Sequence, residues 1–321
     1  MLDELKNLLE QTSEQRFSRF HFKIKEAEKP YYLDFGNDEN RLSEEFKMAQ
    51  LRAIDEILKK TEDDNILNLV LADERKDAIY YLENERWENE FVSIKTLVTE
   101  VNEEDLSKYD ENDFTNIDYF ISRIDLPENK SLTTFKVVYP VQTIYTQTTM
   151  FKKDNKYKKP ENNLFRIPQN FDFFVFDNVL YVNNIKAFER KNSSHLIEFR
   201  KRETEKSMTI IESKNILSKE TCATLKKFLE EDERLARKIV RARERLENSS
   251  KAINEIAVIS HIRESFSGYD LINDGKLNLI TKKNAKDFIN VFCDEYLRSG
   301  LTGNAYDIKA SNILKEGTAN A

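Results

Sequence analysis

The chain is poor in the residues from which many active sites are built. Its 321 residues include 6 Gly, 5 Pro, 3 His and 2 Cys. So few glycines leave little material for a backbone phosphate cradle, and neither G-x-x-x-x-G-K-[ST] nor G-x-G-x-x-G occurs. Protein-kinase signatures and G-x-S-x-G are missing too. His21, His195 and His261 lie far apart, without H-E-x-x-H or a nearby cysteine pair, so the spacing implies no zinc site. Cys222 and Cys293 form no C-x-x-C, and free thiols in a reducing compartment are the expectation. No run of eighteen apolar residues exists, so no direct membrane insertion is expected. Residues 1–12 set acids among leucines and lack a basic n-region, so they do not read as a signal peptide; the expected location is cytoplasmic. No cofactor and no metal is implied.

What the chain does have is charge. Charged residues make up 34% and the net charge is −7. Residues 1–130 hold 18 Lys+Arg against 33 Asp+Glu, a balance of −15, whereas residues 131–321 stand at +8. A polyanion would therefore contact the back half. Mutual attraction of the two halves within the fold accounts for the same asymmetry.

The periodicities predict an α+β fold, with a mixed β-sheet and helices in the first two-thirds and a predominantly helical last third. Leu2, Leu5, Leu8 and Leu9 share one side of a short helix, an apolar face that another chain could cover. Phe20, Phe22 and Ile24 alternate with His21 and Lys23, predicting a half-buried strand with His21 on its polar side. Leu42, Phe46, Ile54 and Leu58 predict a helix over 41–60. Stretches 117–126 and 132–149 are rich in β-formers. Phe171, Phe173 and Val175, the pair Asp177-Asn178, then Val179 and Tyr181 predict a hairpin. Ser218 or Thr221 is placed to cap a single long helix running to about 246. Ala285, Phe288, Ile289, Phe292, Cys293, Tyr296 and Leu297 form one apolar stripe that Gly300 is placed to end. Three regions follow: 1–130, acidic and a candidate partner or self-association surface; 131–200, β-rich; and 201–321, helical.

One catalytic pattern is present in outline. Metal-dependent nucleases set an Asp and a Glu-x-Lys on adjacent strands, the carboxylates holding Mg²⁺. Asp177, Glu189 and Lys191 have that order, but Glu189 falls where the pattern turns helical. No catalytic residue is assigned on this basis, and a non-enzymatic role is the preferred reading.

Basic surfaces are more informative. On a continuous helix at ~100° per residue with Arg234 at zero, Lys227, Lys238, Arg241 and Arg245 fall within about 60°, with Arg237 near 300°. Leu225, Phe228, Leu235, Ala236, Ile239 and Leu246 lie on the other side. Such a row can follow a phosphate backbone, each Arg offering a forked donor. A solvated face laced by pairs such as Glu230–Arg234 and Glu233–Arg237 fits the same pattern. The second candidate is the segment 151–166, with Lys152, Lys153, Lys156, Lys158 and Lys159 interleaved with Phe151 and Tyr157. A mobile, soluble loop fits that composition as well. Neither surface carries a base-reading motif, so contact with DNA would run through the backbone.

The run Asn162-Asn163-Leu164-Phe165-Arg166-Ile167-Pro168-Gln169-Asn170-Phe171-Asp172-Phe173-Phe174, then Leu180-Tyr181-Val182 and Phe188-Glu189, resembles the KwaB family of the bacterial Kiwa anti-phage system. Residues 279–302, from Leu279-Ile280-Thr281-Lys282-Lys283 through Asp294-Glu295-Tyr296-Leu297, are similar to that family's C-terminal helix. The resemblance implies an anti-phage defence protein that binds invading DNA and obstructs its replication or transcription. It also implies a KwaA-like membrane protein as partner, recruitment to the inner face of the membrane, and a homo-oligomer. It supplies no motif of DNA-contacting residues, so the candidate site rests on the charge geometry.

Overall fold

The structure is a computed structural model. It describes residues 2–12, 18–60, 66–69, 78–111, 114–139, 143–144, 150–153, 155–161, 164–248, 272–273, 276–278, 281–293, 296–298 and 305–307. In chain order the first elements are α1 (Leu2–Gln11), β1 (Ser18–Ile24), β2 (Tyr31–Tyr32), α2 (Glu39–Lys60), β3 (Ile66–Asn68), β4 (Ile79–Glu83), α3 (Asn84–Glu90) and α4 (Val92–Glu100). Then come β5 (Ile117–Asp125), β6 (Ser131–Val137), β7 (Thr143–Ile144), β8 (Phe151–Lys153), β9 (Lys156–Lys158), β10 (Leu164–Phe165), β11 (Phe173–Phe176) and β12 (Val179–Val182). The remainder is α5 (Ile185–Ser213), α6 (Lys219–Glu231), α7 (Glu233–Asn248), β13 (Ile272–Asn273), β14 (Lys276–Leu277), α8 (Lys282–Phe292), β15 (Tyr296–Arg298) and β16 (Ala305–Asp307). The fold is α+β, and the chain forms two compact units whose boundary lies within α5, after His195.

The first unit is built on an eight-stranded sheet of order β2-β1-β5-β6-β11-β12-β4-β3. All its pairings are antiparallel except β3 with β4. Its centre is the predicted hairpin. Asp177 and Asn178 sit at φ 49° and 59° between β11 and β12. Two positive φ values match the twist of the flanking strands, and Asp and Asn tolerate them.

Register explains the core. Phe20, Ser122, Thr134, Phe174 and Tyr181 form one cross-strand row, and Ile124, Leu132, Phe176 and Val179 form the next. Leu2, Leu5, Leu8 and Leu9 of α1 and Ile54 and Ile57 of α2 pack on that face. The four leucines are therefore buried in the chain's own core, which corrects the expectation that another chain could cover them. Gln50 of α2 donates from Nε2 to Ser122 Oγ at 2.8 Å and Thr134 Oγ1 at 2.9 Å, matching the two hydroxyls in the apolar row. On the opposite face Phe135 and Phe173 stack at 4.7 Å, and Phe188 of α5 meets Phe173 edge-on at 5.2 Å.

Both faces of the sheet are thus covered, and this corrects the reading of His21. Its side chain is buried, 2% exposed, instead of solvated. Burial, reinforced by the charges of Arg19 and Arg123, pushes its pKa down to about 4. Alternation located the strand correctly but could not show that its second face is covered.

Two helical expectations also change. The predicted single helix from 219 breaks at Asp232, which is extended at φ −135° and ψ 97°. Ser218 caps α6, accepting from Thr221 N at 3.2 Å. Asp232 caps α7, its Oδ1 accepting from Arg234 N at 3.0 Å and Leu235 N at 3.2 Å. The stripe predicted to run as helix to Gly300 is helical in α8, which ends at Phe292. Tyr296–Arg298 is a strand paired with β16, so its backbone bonds go to a ladder. Tyr296 and Leu297 keep the helical phase of the stripe, and periodicity cannot separate the two cases.

Candidate nucleic-acid interface

In the second unit α7 packs through Leu235, Ile239, Val240 and Ala242, all buried. Arg243 falls in the same buried arc, and its Nη2 meets Glu203 Oε2 of α5 at 2.8 Å, the two side chains being 8% and 1% exposed. Sequence reasoning missed this pair. Its signal was a charge in an otherwise apolar arc.

The predicted cations divide into three groups. Lys227 and Arg234 are exposed. Arg237, Lys238 and Arg241 are half-buried. Arg237 Nη2 lies 3.2 Å from Glu233 Oε1, and Lys238 Nζ donates to Asn290 Oδ1 of α8 at 2.9 Å. Arg245 belongs to α7, but its side chain lies outside the described residues. The break at Asp232 separates Lys227 from the cations of α7, so the single row becomes a four-residue α7 arc from Arg234 to Arg241, with Lys227 on the preceding helix. The arc is also partly engaged by its neighbours, because α8 packs beside it and the Cys293 thiol donates to Lys238 O at 3.3 Å.

The lysine segment of the first unit is a two-stranded ribbon. Lys152 pairs with Tyr157, Lys153 with Lys156, and Phe151 with Lys158. Asn155 sits at φ 59° in the turn. Lys152, Lys156, Lys158 and Lys159 are exposed, and Tyr157 is 71% exposed on the same ribbon face as its partner Lys152. The side chain of Lys153 lies outside the described residues. An aromatic ring beside lysines on an open ribbon suits both stacking and phosphate contact.

The outline nuclease pattern does not converge. Glu189 lies on helix α5, whereas Asp177 turns at the far end of the β11–β12 hairpin and meets Lys130 Nζ at 3.3 Å. Lys191 is paired with Asp118. Among the described residues no group of three or more His, Cys, Asp or Glu is arranged to hold a metal ion. Nor, among them, is any helix long and apolar enough to cross a membrane.

A family model described as Kiwa protein KwaB-like matches residues 114–302, more than half of the chain. The chain belongs to the KwaB-like family. The match begins just before β5, so the central hairpin and the α6–α7 region lie inside the KwaB-like segment. A curated relative, the Kiwa protein KwaB of Escherichia coli O55:H7 (strain RM12579 / EPEC), is 26% identical over 257 residues, covering 76% of this chain and 78% of the relative. No solved structure matches.

Proposed function

We propose that this KwaB-like chain is a component of an anti-phage defence system that binds invading DNA through its phosphate backbone and obstructs replication or transcription. The observation that carries the reading is the division of α7, with Leu235, Ile239 and Val240 buried while Arg234 is exposed and Arg237, Lys238 and Arg241 stand half-buried. Cations one turn apart, ~5.4 Å, can follow successive phosphates. Lys152, Lys156, Lys158 and Tyr157 of the β8–β9 ribbon supply a second contact of the same chemistry. The likeness to the Kiwa protein KwaB supports the defence role. In this reading the protein is a cytoplasmic homo-oligomer, and a KwaA-like membrane protein brings it to the inner face of the membrane. The partner surface is the charged exterior of residues 1–130, since the leucines of α1 are internal.

The test is binding of the full chain to two unrelated duplexes of equal length, with and without Mg²⁺. Equal affinity for both, falling steeply with salt and without cleavage, is the expected result. Mg²⁺-dependent cleavage would favour a nuclease instead, and absence of binding at low salt would leave an interaction adaptor.

A further inference from the structure

β8 and β9 form a two-stranded sheet of their own, separate from the eight-stranded one. Lys156, Tyr157 and Lys158 of β9 are all exposed, so both faces of that strand meet solvent. A lone hairpin is marginal in water, and this one has no buried face of β9 to steady it. Lys153 also stands opposite Lys156 in the ladder, and like charges at directly opposed positions weaken a pair. Against five lysines, residues 150–161 hold two acids, Asp154 and Glu161. A polyanion laid on the ribbon would relieve that repulsion.

Tyr157 indicates which form of polyanion. At 71% exposure it is the most exposed large apolar side chain among the described residues. Elsewhere in the first unit aromatic rings pack on one another, as Phe135 does on Phe173 and Phe174 on Tyr181. Register pairs Tyr157 with Lys152, and directly opposed positions hold their Cβ atoms ~4.5–5.5 Å apart on one face. A ring and an ammonium group side by side match the two parts of a nucleotide, the base and its phosphate. Inside a duplex the base faces are stacked on their neighbours and closed to a ring; an unpaired base offers its face. A lipid surface is the poorer fit, because the Tyr157 face of the ladder carries one ring and one lysine, too little apolar area to anchor in a membrane.

We propose that the β8–β9 ribbon reads single-stranded DNA, Tyr157 stacking on an unpaired base while Lys152 holds the adjoining phosphate. Lys156 and Lys158, on the other face, draw the strand in through their field. The proposal deepens the DNA-binding reading and rests on it, naming DNA with unpaired bases as the form this ribbon prefers.

The experiment uses the full chain and two DNAs of equal length and equal phosphate number: a paired duplex, and one with a non-complementary central bubble carrying 2-aminopurine. Wild type, Tyr157→Leu, Tyr157→Trp and a Lys152→Gln/Lys156→Gln/Lys158→Gln variant are compared across a salt series, with circular dichroism as the folding control. Wild type should bind the bubble three- to tenfold tighter than the duplex and change the 2-aminopurine fluorescence. Tyr157→Leu should lose both effects, yet keep its affinity for the duplex within twofold and its salt slope unchanged, since stacking releases no counterions. Tyr157→Trp should keep both effects. The lysine variant should weaken both DNAs and flatten the slope by about two to three. Equal affinity of wild type for bubble and duplex, or a preference that survives in Tyr157→Leu, would overturn the stacking proposal and leave the DNA reading standing. So would a preference lost in Tyr157→Leu with the fluorescence change intact. Binding to phosphatidylglycerol vesicles that depends on Tyr157, when DNA binding does not, would overturn it in favour of a lipid surface. No binding of either DNA at low salt would overturn both readings.

Discussion

Asp172 and Lys136 form an ion pair at 2.9 Å in which the aspartate is 1% exposed and the lysine 13%. The same carboxylate accepts from Val137 N at 2.9 Å and Asn184 Nδ2 at 2.8 Å. Asp172 also accepts, at its carbonyl, from the backbone N–H groups of Asn183 and Asn184. One residue thus ties β6, the entrance to β11 and the exit from β12.

Removing one member of a buried charge pair leaves the other uncompensated. Asp172→Ala should therefore destabilise the first unit by about 3 kcal/mol. Asp172→Asn, which keeps an acceptor, should cost about half as much. Denaturant unfolding followed by fluorescence reads this directly, because the only tryptophan, Trp87, is buried in the same unit with its indole N–H on Asn178 O at 2.9 Å. Equal stability of wild type and Asp172→Ala would show the junction to be dispensable.

His21 makes stability depend on pH. Its folded pKa, about 4, lies below the ordinary value of 6.5, so the unfolded chain binds the proton more tightly. The contribution is present above pH 6.5 and is lost as pH falls toward 4. Between pH 7 and pH 5 the first unit should lose about 2 kcal/mol from this group. His21→Gln should flatten that part of the profile when the Trp87 signal is followed. The same slope in the variant would assign the acid sensitivity to other groups.

The thiols should be dispensable. Cys222 and Cys293 are both free and buried, and burial pushes the Cys222 thiol up, away from its reactive form. A Cys222→Ala/Cys293→Ala variant should keep DNA affinity within twofold while losing ~1–2 kcal/mol through poorer packing. A folded double variant that no longer binds DNA would contradict this.

The parts of the fold that were legible are those set by local rules. The Asp177-Asn178 turn, the leucine face of α1 and the cap at Ser218 each depend on neighbours in sequence. The family resemblance drew on the same strands, with Asp172 among them, though nothing local announced that Asp172 is a buried junction. What could not be read depends on distant partners. His21 is internal because the sheet has two covered faces. Residues 296–298 are a strand because 305–307 pair with them. The helix break at Asp232 was within reach, since an aspartate beginning a new amphipathic run is a capping signal, but unbroken helical phase across it concealed the break. Among the site residues, the Glu233–Arg237 pair follows from spacing on one helix, whereas Lys238 meets Asn290 only through the packing of α8 beside α7.

The most direct test of the account is the salt dependence of DNA binding by wild type and by an Arg234→Gln/Lys238→Gln/Arg241→Gln variant, with circular dichroism as the folding control. Each phosphate neutralised contributes ~0.9 to the slope of log K against log salt. If these cations follow a phosphate backbone, the variant should bind more weakly and its slope should flatten by roughly two to three, equally for unrelated sequences. A folded variant with the wild-type slope would contradict the account and return this face to simple solvation.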